Sequence, residues 1–201
     1  DGMAEAIQTI KAADAGISGI TDLLQQAKAL VTAARSATAS EAANLSAQFD
    51  EVMGQIDSLA ADSGYKGINL LAADTLTVEF NEDATSFLEV AGFDATTGGA
   101  DIPIAQGGLD FGDSGVLDTA TTEIDAALTE LRSQSKTLSS NLSVVTSREE
   151  FTTNMINTLQ EGADKLTLAD MNEEGANMLM LQTRQALGTT ALALSSQAAQ
   201  A

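Results

Sequence analysis

The chain has 201 residues, with 29 acidic against 9 basic side chains, no Cys, no His, no Trp and an aromatic content of 3%. A net charge of −20 repels phosphate backbones and anionic lipid alike, so neither nucleic acid nor a membrane surface is an expected partner, and no apolar run reaches the length of a membrane span. Without thiols or imidazoles, the chain is left without Cys nucleophiles, disulfides, imidazole bases and most zinc or copper chemistry, and no cofactor or metal site is expected.

A core without large rings must be built from Leu, Ile, Val, Met and Ala, which suits slender helices packed at close range. Residues 3 to 35 place Met3, Ile7, Ile10, Ala13, Ile17, Ile20, Leu24, Ala27, Val31 and Ala34 at steps of three and four. That period predicts one long helix with a single buried seam. Gly16 and Gly19 are expected to weaken it by about 1 kcal/mol each relative to Ala. Thr38 stands three residues before Glu41 as a capping box, and a second helix follows through Leu45, Phe49, Val52, Ile56 and Leu59, with Gly64 where a C-terminal cap belongs. The short connection predicts an antiparallel hairpin.

The character changes after "GYKGINLL". The segments "TLTVEF" (75–80) and "SFLEV" (86–90) alternate apolar and polar residues around Asn81, Glu82 and Asp83, which predicts a β-hairpin. From Phe93 to Gly115 the chain is rich in Gly, Asp and Thr and holds its one proline, Pro103. A surface excursion is expected there, with short strands at "DIPIA" and "GLDFG". From Leu117 the helical period returns through Ile124, Leu128, Leu131, Leu138, Leu142 and Val145, with Ser135 polar in the seam. The stripe continues through Met155, Ile156 and Leu159, predicting a helix of about 45 residues, or about 68 Å. "GADKLTLADMNEEG" offers a break before a final helix in which Leu187, Ala191, Leu194 and Ala198 recur at steps of four and three. The fold class expected is therefore mainly α: an elongated rod of long antiparallel coiled-coil-like helices with a small β-hairpin and loop lobe in the middle. The corresponding domains are 1–72, 73–116, 117–162 and 163–201.

Local motifs add little chemistry. Asp94, Asp101, Asp110, Asp113 and Asp118 could gather a calcium ion, but they lack EF-hand spacing, and a solvated acidic loop is the preferred reading. Asn44-Leu45-Ser46 and Asn141-Leu142-Ser143 match a glycosylation acceptor by chance, since each Leu lies in a helical seam. Met178 and Met180 read as packing rather than as a promiscuous binding face.

Four stretches carry a resemblance. "ADAGISGITDLLQQAKAL" looks like the first long rod helix of bacterial flagellin, and "QFDEVMGQIDSLAADSGYKGINLL" looks like the second, running into the family's aromatic-x-Gly-x-x-Leu-Leu turn at Tyr65, Gly67, Leu70 and Leu71. "IDAALTELRSQSKTLSSNLSVVTSREEFTTNMINTL" resembles the C-terminal rod helix, and "ADMNEEGANMLMLQTRQALGTTALALSSQAAQ" resembles the closing segment. The resemblance covers residues 3 to about 75 and about 117 to 201. It implies a structural subunit, not an enzyme, that forms a helical homopolymer for swimming motility. The closing segment, with Leu181, Leu187, Ala191, Leu194 and Ala198, would then be the polymerisation helix. It also implies extracellular localisation in the flagellum, type III export without a cleaved signal peptide, and dealings with an export chaperone and cap proteins.

Set against the family, residue 1 falls inside the rod. An N-terminal core helix and the last few C-terminal apolar residues are expected to lie outside these 201 residues. Flagellins sensed by a Toll-like receptor of innate immunity carry an Arg on the first rod helix, a Leu four residues on and a Glu on the second. Here those positions hold Gln26, Leu30 and Gln48, so weak recognition is expected. A hook–filament junction protein shares the terminal helices and ranks second. A flagellin-like cell-surface ligand-binding protein ranks below it, because the acidic loop lacks Trp and Tyr platforms for sugars. An enzyme ranks last.

Overall fold

The computed structural model describes residues 2–99, 101–103, 107–167 and 171–200. Its elements are α1 (Gly2–Ala34), α2 (Ala39–Asp62), β1 (Thr75–Glu79), β2 (Phe87–Ala91), α3 (Ser114–Thr167) and α4 (Met171–Gln200). They fall into two compact units, Asp1–Phe151 and Thr152–Ala201.

In the first unit, α1 carries two apolar rows with a period of seven. Ile10, Ile17, Leu24 and Val31 form one row, and Ala6, Ala13, Ile20, Ala27 and Ala34 the other; every one is buried. Two adjacent rows make a seam wide enough to meet two neighbouring helices, here α2 and α3. α2 answers with Ala42, Phe49 and Ile56, again seven apart and buried, flanked by Val52, Met53 and Ala60. Phe49 meets Phe111 edge-on, with ring centroids 5.3 Å apart. With buried Phe93, this T-shaped pair brings rings into a core that is mostly aliphatic.

The turn between α1 and α2 closes as the sequence indicates. The backbone N–H and the hydroxyl of Thr38 each donate to Glu41 Oε2 at 2.8 Å, and Ala42 N–H donates to the Thr38 carbonyl at 2.8 Å. The Thr38 N–H, then its hydroxyl, hold the Glu41 carboxyl below its ordinary range.

Gly16 and Gly19 do more than weaken α1. A Cβ on Gly16 would stand 2.2 Å from Ser63 Oγ and 2.6 Å from Leu71 Cδ1, and one on Gly19 would stand 2.7 Å from Leu59 Cδ2. The glycines let the end of α2 and the following turn lie directly on α1. The expected C-terminal cap at Gly64 is corrected too: Gly64 is not in the left-handed region, where the described glycines are Gly67, Gly98 and Gly108. The end of α2 is held by a side chain instead. Asn69 Nδ2 donates to the carbonyls of Ala60 and Ala61 at 2.8 and 3.0 Å, while its Oδ1 accepts from Leu71 N–H at 2.9 Å. Between these contacts, Lys66 (φ 50°) and Gly67 (φ 86°) form a tight turn closed by paired hydrogen bonds between Tyr65 and Ile68. The turn drives Leu70 and Leu71 fully into the core.

β1 and β2 pair antiparallel from Thr75 with Ala91 to Glu79 with Phe87. Leu76, Val78 and Val90 face the core. Asn81 organises the hairpin turn, its Oδ1 accepting from Ser86 N–H at 2.9 Å and its Nδ2 donating to Thr85 Oγ1 at 2.6 Å. Gly92 follows where the backbones of Asp74 and Leu70 crowd the chain; a Cβ there would lie 2.3 Å from the Asp74 carbonyl.

No strand forms at "GLDFG". Gly108 takes φ 83°, and Asp110 Oδ1 accepts from Gly112 N–H at 2.9 Å, so the segment turns on itself. At "DIPIA", Asp101, Ile102 and Pro103 are not in a strand, and residues 104 and 105 lie outside the described ones. Ile102 and Phe111 are nevertheless buried.

α3 runs antiparallel to α1. Arg35 pairs with Asp118 at 2.7 Å, Lys28 pairs with Asp125, and Ser135 Oγ donates to Asp14 Oδ1 at 2.8 Å. The polar seam position at Ser135 is thus satisfied across the helix pair. At 54 residues α3 exceeds the length expected from its sequence. It passes through Gly162, with Lys165 paired to Glu161 one turn back at 2.7 Å, and continues to Thr167. Of the expected break, residues 168–170 lie outside the described ones.

Candidate assembly surfaces

On α3, Leu117, Ile124, Leu131, Leu138 and Val145 stand seven apart, and all are buried. The same line continues to Leu159 and Leu166, which are 64% and 89% exposed. Phe151, Met155 and Ile156 beside it are exposed as well. The stripe through Met155, Ile156 and Leu159 is helical as expected, and its side chains are exposed. The register set by Lys28 with Asp125 and Arg35 with Asp118 brings the first turn of α1 level with Phe151. Past that level the line reads Thr152, Leu159 and Leu166, so its period holds with one polar position and the two leucines stay exposed.

From Glu173 to Ala199, the side chains of α4 are exposed. Leu181, Leu187 and Leu194 are each more than 60% accessible, and Ala191 and Ala198 are exposed with them. At 3.6 residues per turn, Leu187, Ala191, Leu194 and Ala198 fall within about 60° of one another, and Met180 joins them. Leu181 stands about a third of a turn away, with Met178 and Leu192. The structure thus separates Leu181 from the other four and leaves apolar side chains on more than one side of α4, with Leu179 in neither group. Sequence reasoning read Met178 and Met180 only as packing and followed one seam; counting every apolar residue around the helix would have shown the rest.

The three positions matching the innate-receptor contact lie on the α1–α2 hairpin. Gln26 and Gln48 are exposed, and Leu30 is half-buried against the core. The contact of Gly19 with Leu59 sets a register that puts Leu30 level with Gln48 and Gln26 about one turn away. Gln48 also lines a 440 Å³ cleft with Ala33, Ser36, Ala37, Glu41 and Leu45.

The carboxylates of the central loop are turned toward their own backbone. Asp94 Oδ1 accepts from Thr96 N–H and hydroxyl at 3.0 and 2.6 Å, and Asp101 Oδ2 accepts from Asp94 N–H at 2.9 Å. Asp113 Oδ1 accepts from Gly115 N–H at 2.7 Å. Two aspartates of α2, not singled out in the sequence, tie the loop down. Asp57 accepts from Thr97 N–H and hydroxyl at 2.6 and 2.8 Å, and Asp50 accepts from Gly108 N–H at 2.6 Å. Among the described residues, no three carboxylates are gathered as a metal site. No helix is long and apolar enough to cross a membrane. The chemistry available is surface complementarity between helices.

Comparison with known proteins agrees with that reading. The family described as the bacterial flagellin N-terminal helical region matches residues 3–75. Flagellin FljM of Caulobacter vibrioides is 27% identical over 201 residues, covering 98% of this chain and 72% of its own length. A flagellin of Brucella melitensis is 23% identical over 195 residues, covering 92% and 69%. The crystal structure of Bacillus cereus flagellin shares the fold with a TM-score of 0.62 at 16% identity, covering 78% of this chain and 93% of that one. With the turn at Tyr65–Leu71 and the heptad rows of α1, α2 and α3 in place, residues 3–75 match the bacterial flagellin N-terminal helical region, and the chain is similar to bacterial flagellins over nearly its whole length.

Proposed function

We propose that this chain is the structural subunit of a bacterial flagellar filament, polymerising with copies of itself, and that it is not an enzyme. The observation that carries this reading is the exposure of apolar side chains in a regular pattern on residues 151–194, beside a first unit whose core is complete. A helix with apolar side chains on more than one side calls for more than one neighbour, as the interior of a helical polymer provides. Leu187, Ala191, Leu194 and Ala198 form one assembly face of α4, and Leu181 belongs to another. Residues 1–72 and 117–162 make the two halves of a rod, 73–116 an outer lobe, and 163–201 the core helix.

Such a subunit works outside the cell as part of the flagellum. Export through the flagellar type III route without a cleaved leader suits a chain with no disulfides to form or break. An export chaperone and cap proteins are the partners this route implies. Gln26 and Gln48 replace the charged side chains that immune-sensed flagellins present, so recognition by the innate receptor is weak. A receptor reporter responding as strongly as to an enteric flagellin would contradict that last point.

The test of the main reading is salt-induced assembly of the full-length protein followed by electron microscopy. Filaments are expected from the unaltered protein and none from Leu187→Asp with Leu194→Asp. Persistent monomers of the unaltered protein under all conditions would refute the reading.

A further inference from the structure

The α1–α3 contact is an ion-pair ladder with one rung left open. Arg35 with Asp118 and Lys28 with Asp125 are spaced seven residues apart on both helices, so successive rungs repeat every two turns. The next rung in the same register places Arg132 of α3 opposite Thr21 of α1. Thr21 offers no carboxylate, and its hydroxyl donates to the Ile17 carbonyl at 2.7 Å. Arg132 and Lys136, one turn on, make no ion pair among the described residues, unlike Lys28, Arg35, Lys66 and Lys165. Both line a 410 Å³ groove between α1 and α3 that also holds Asp14, Ser18, Thr21 and Asp22, and among the described residues neither Asp14 nor Asp22 forms an ion pair with either cation. Two unpaired cations therefore share one polar groove on a chain carrying 29 carboxylates against 9 basic groups.

We propose that this groove is a subunit–subunit contact, in which Arg132 and Lys136 receive carboxylates of a second copy of this chain. The inference rests on the filament-subunit reading. Copies with a net charge of −20 repel one another at every approach except where a cation is free to meet a carboxylate. Thr21 keeps Arg132 unpaired within its own subunit, so its charge is available between subunits.

The test uses full-length protein assembled over a range of NaCl concentrations. Arg132→Glu with Lys136→Glu is expected to raise the critical concentration for polymerisation roughly tenfold or more at low salt, since like charges then face each other. The gap should narrow as salt screens the repulsion. Arg132→Gln with Lys136→Gln should also raise the critical concentration, by less, while leaving monomer melting nearly unchanged, because neither cation is ion-paired in its own subunit and Gln adds no charge beside Asp14 and Asp22. Thr21→Glu supplies the missing rung and should also weaken assembly, by engaging Arg132 within the subunit. If all three variants assemble at the wild-type critical concentration in low salt, the groove is no contact and the inference is wrong. A wild-type protein that never polymerises would instead overturn the filament reading and this contact with it.

Discussion

Residues up to Phe151 and residues from Thr152 onward are written in one alphabet of Leu, Ile, Met and Ala, yet they treat their apolar side chains in opposite ways. In the first unit, heptad rows on α1, α2 and α3 close on one another and leave Ile10, Ile20, Leu24, Phe49, Ile56 and Leu131 with no accessible surface. In the second, Leu159, Leu166, Leu187 and Leu194 keep most of theirs. The first pattern supplies a fold, and the second leaves the same residue types on the surface. Periodicity alone cannot separate them, because a buried row and a row reserved for a partner are the same sequence.

The contrast predicts which truncations matter to the isolated subunit. Phe49→Ala removes a buried ring from the contact with Phe111 and should cost about 3–5 kcal/mol in chemical denaturation. Leu187→Ala removes a comparable side chain from a site that is 65% exposed, and should change the same measurement by less than about 0.5 kcal/mol. Equal losses in the two variants would mean that α4 is part of the subunit's own core, and the division drawn here would fail.

A second substitution asks whether the first unit unfolds as one body. Gly92→Ala forces a methyl group to within 2.3 Å of the Asp74 carbonyl and 2.6 Å of the Leu70 carbonyl, neither of which is free to retreat. A loss of about 3 kcal/mol is expected, in line with overpacking against backbone. Because Leu70 is itself buried, hydrogen exchange should accelerate across α1, α2 and the buried part of α3 together. Acceleration confined to β1 and β2 would show that the lobe opens independently of the helices.

Much of this was legible in the sequence. The rows of α1 and α2, the capping box at Thr38 and the hairpin around Asn81 are short-range patterns, and local pattern is what sequence displays. The points that were not legible depend on contacts distant along the chain. Gly16 reads as a weak helix residue until Ser63 and Leu71 are seen lying on it. Gly64 reads as a cap until Asn69 reaches back to Ala60 and Ala61. Asp50 and Asp57 carry no local signal in the sequence, yet they accept from loop N–H groups 58 and 40 residues away, respectively. The apolar pattern of α4 was half legible: its period is plain, but the separation of Leu181 from Leu187 emerges only when the whole circumference of α4 is counted.

The smallest effects lie at the edges of the first unit and are read by pH. Glu41 is held below its ordinary pKa by the N–H and hydroxyl of Thr38, and Glu5 by its hydrogen bond and charge interaction with Lys66, 2.5 Å away. Lys66 is raised by the same contact. A carboxylate with a depressed folded value contributes stability above its unfolded value and loses it as pH falls through the folded one. For Lys66 the sense reverses: its contribution is complete below the unfolded lysine value and disappears as pH rises through the raised one. Both groups of the Glu5–Lys66 pair are therefore fully engaged near neutrality, and acid releases Glu5 and Glu41 first. All three side chains are exposed, so the change should be slight and should shrink with added salt for the Glu5–Lys66 pair more than for Glu41, whose partners are uncharged. Carboxyl-carbon titration by NMR should give Glu5 and Glu41 midpoints below those of the unfolded chain. Glu41→Gln should flatten the acid limb of the unfolding curve while leaving α4 unaltered. Midpoints equal to the unfolded values would show that neither contact persists in solution, and that the first unit is held by its apolar rows alone.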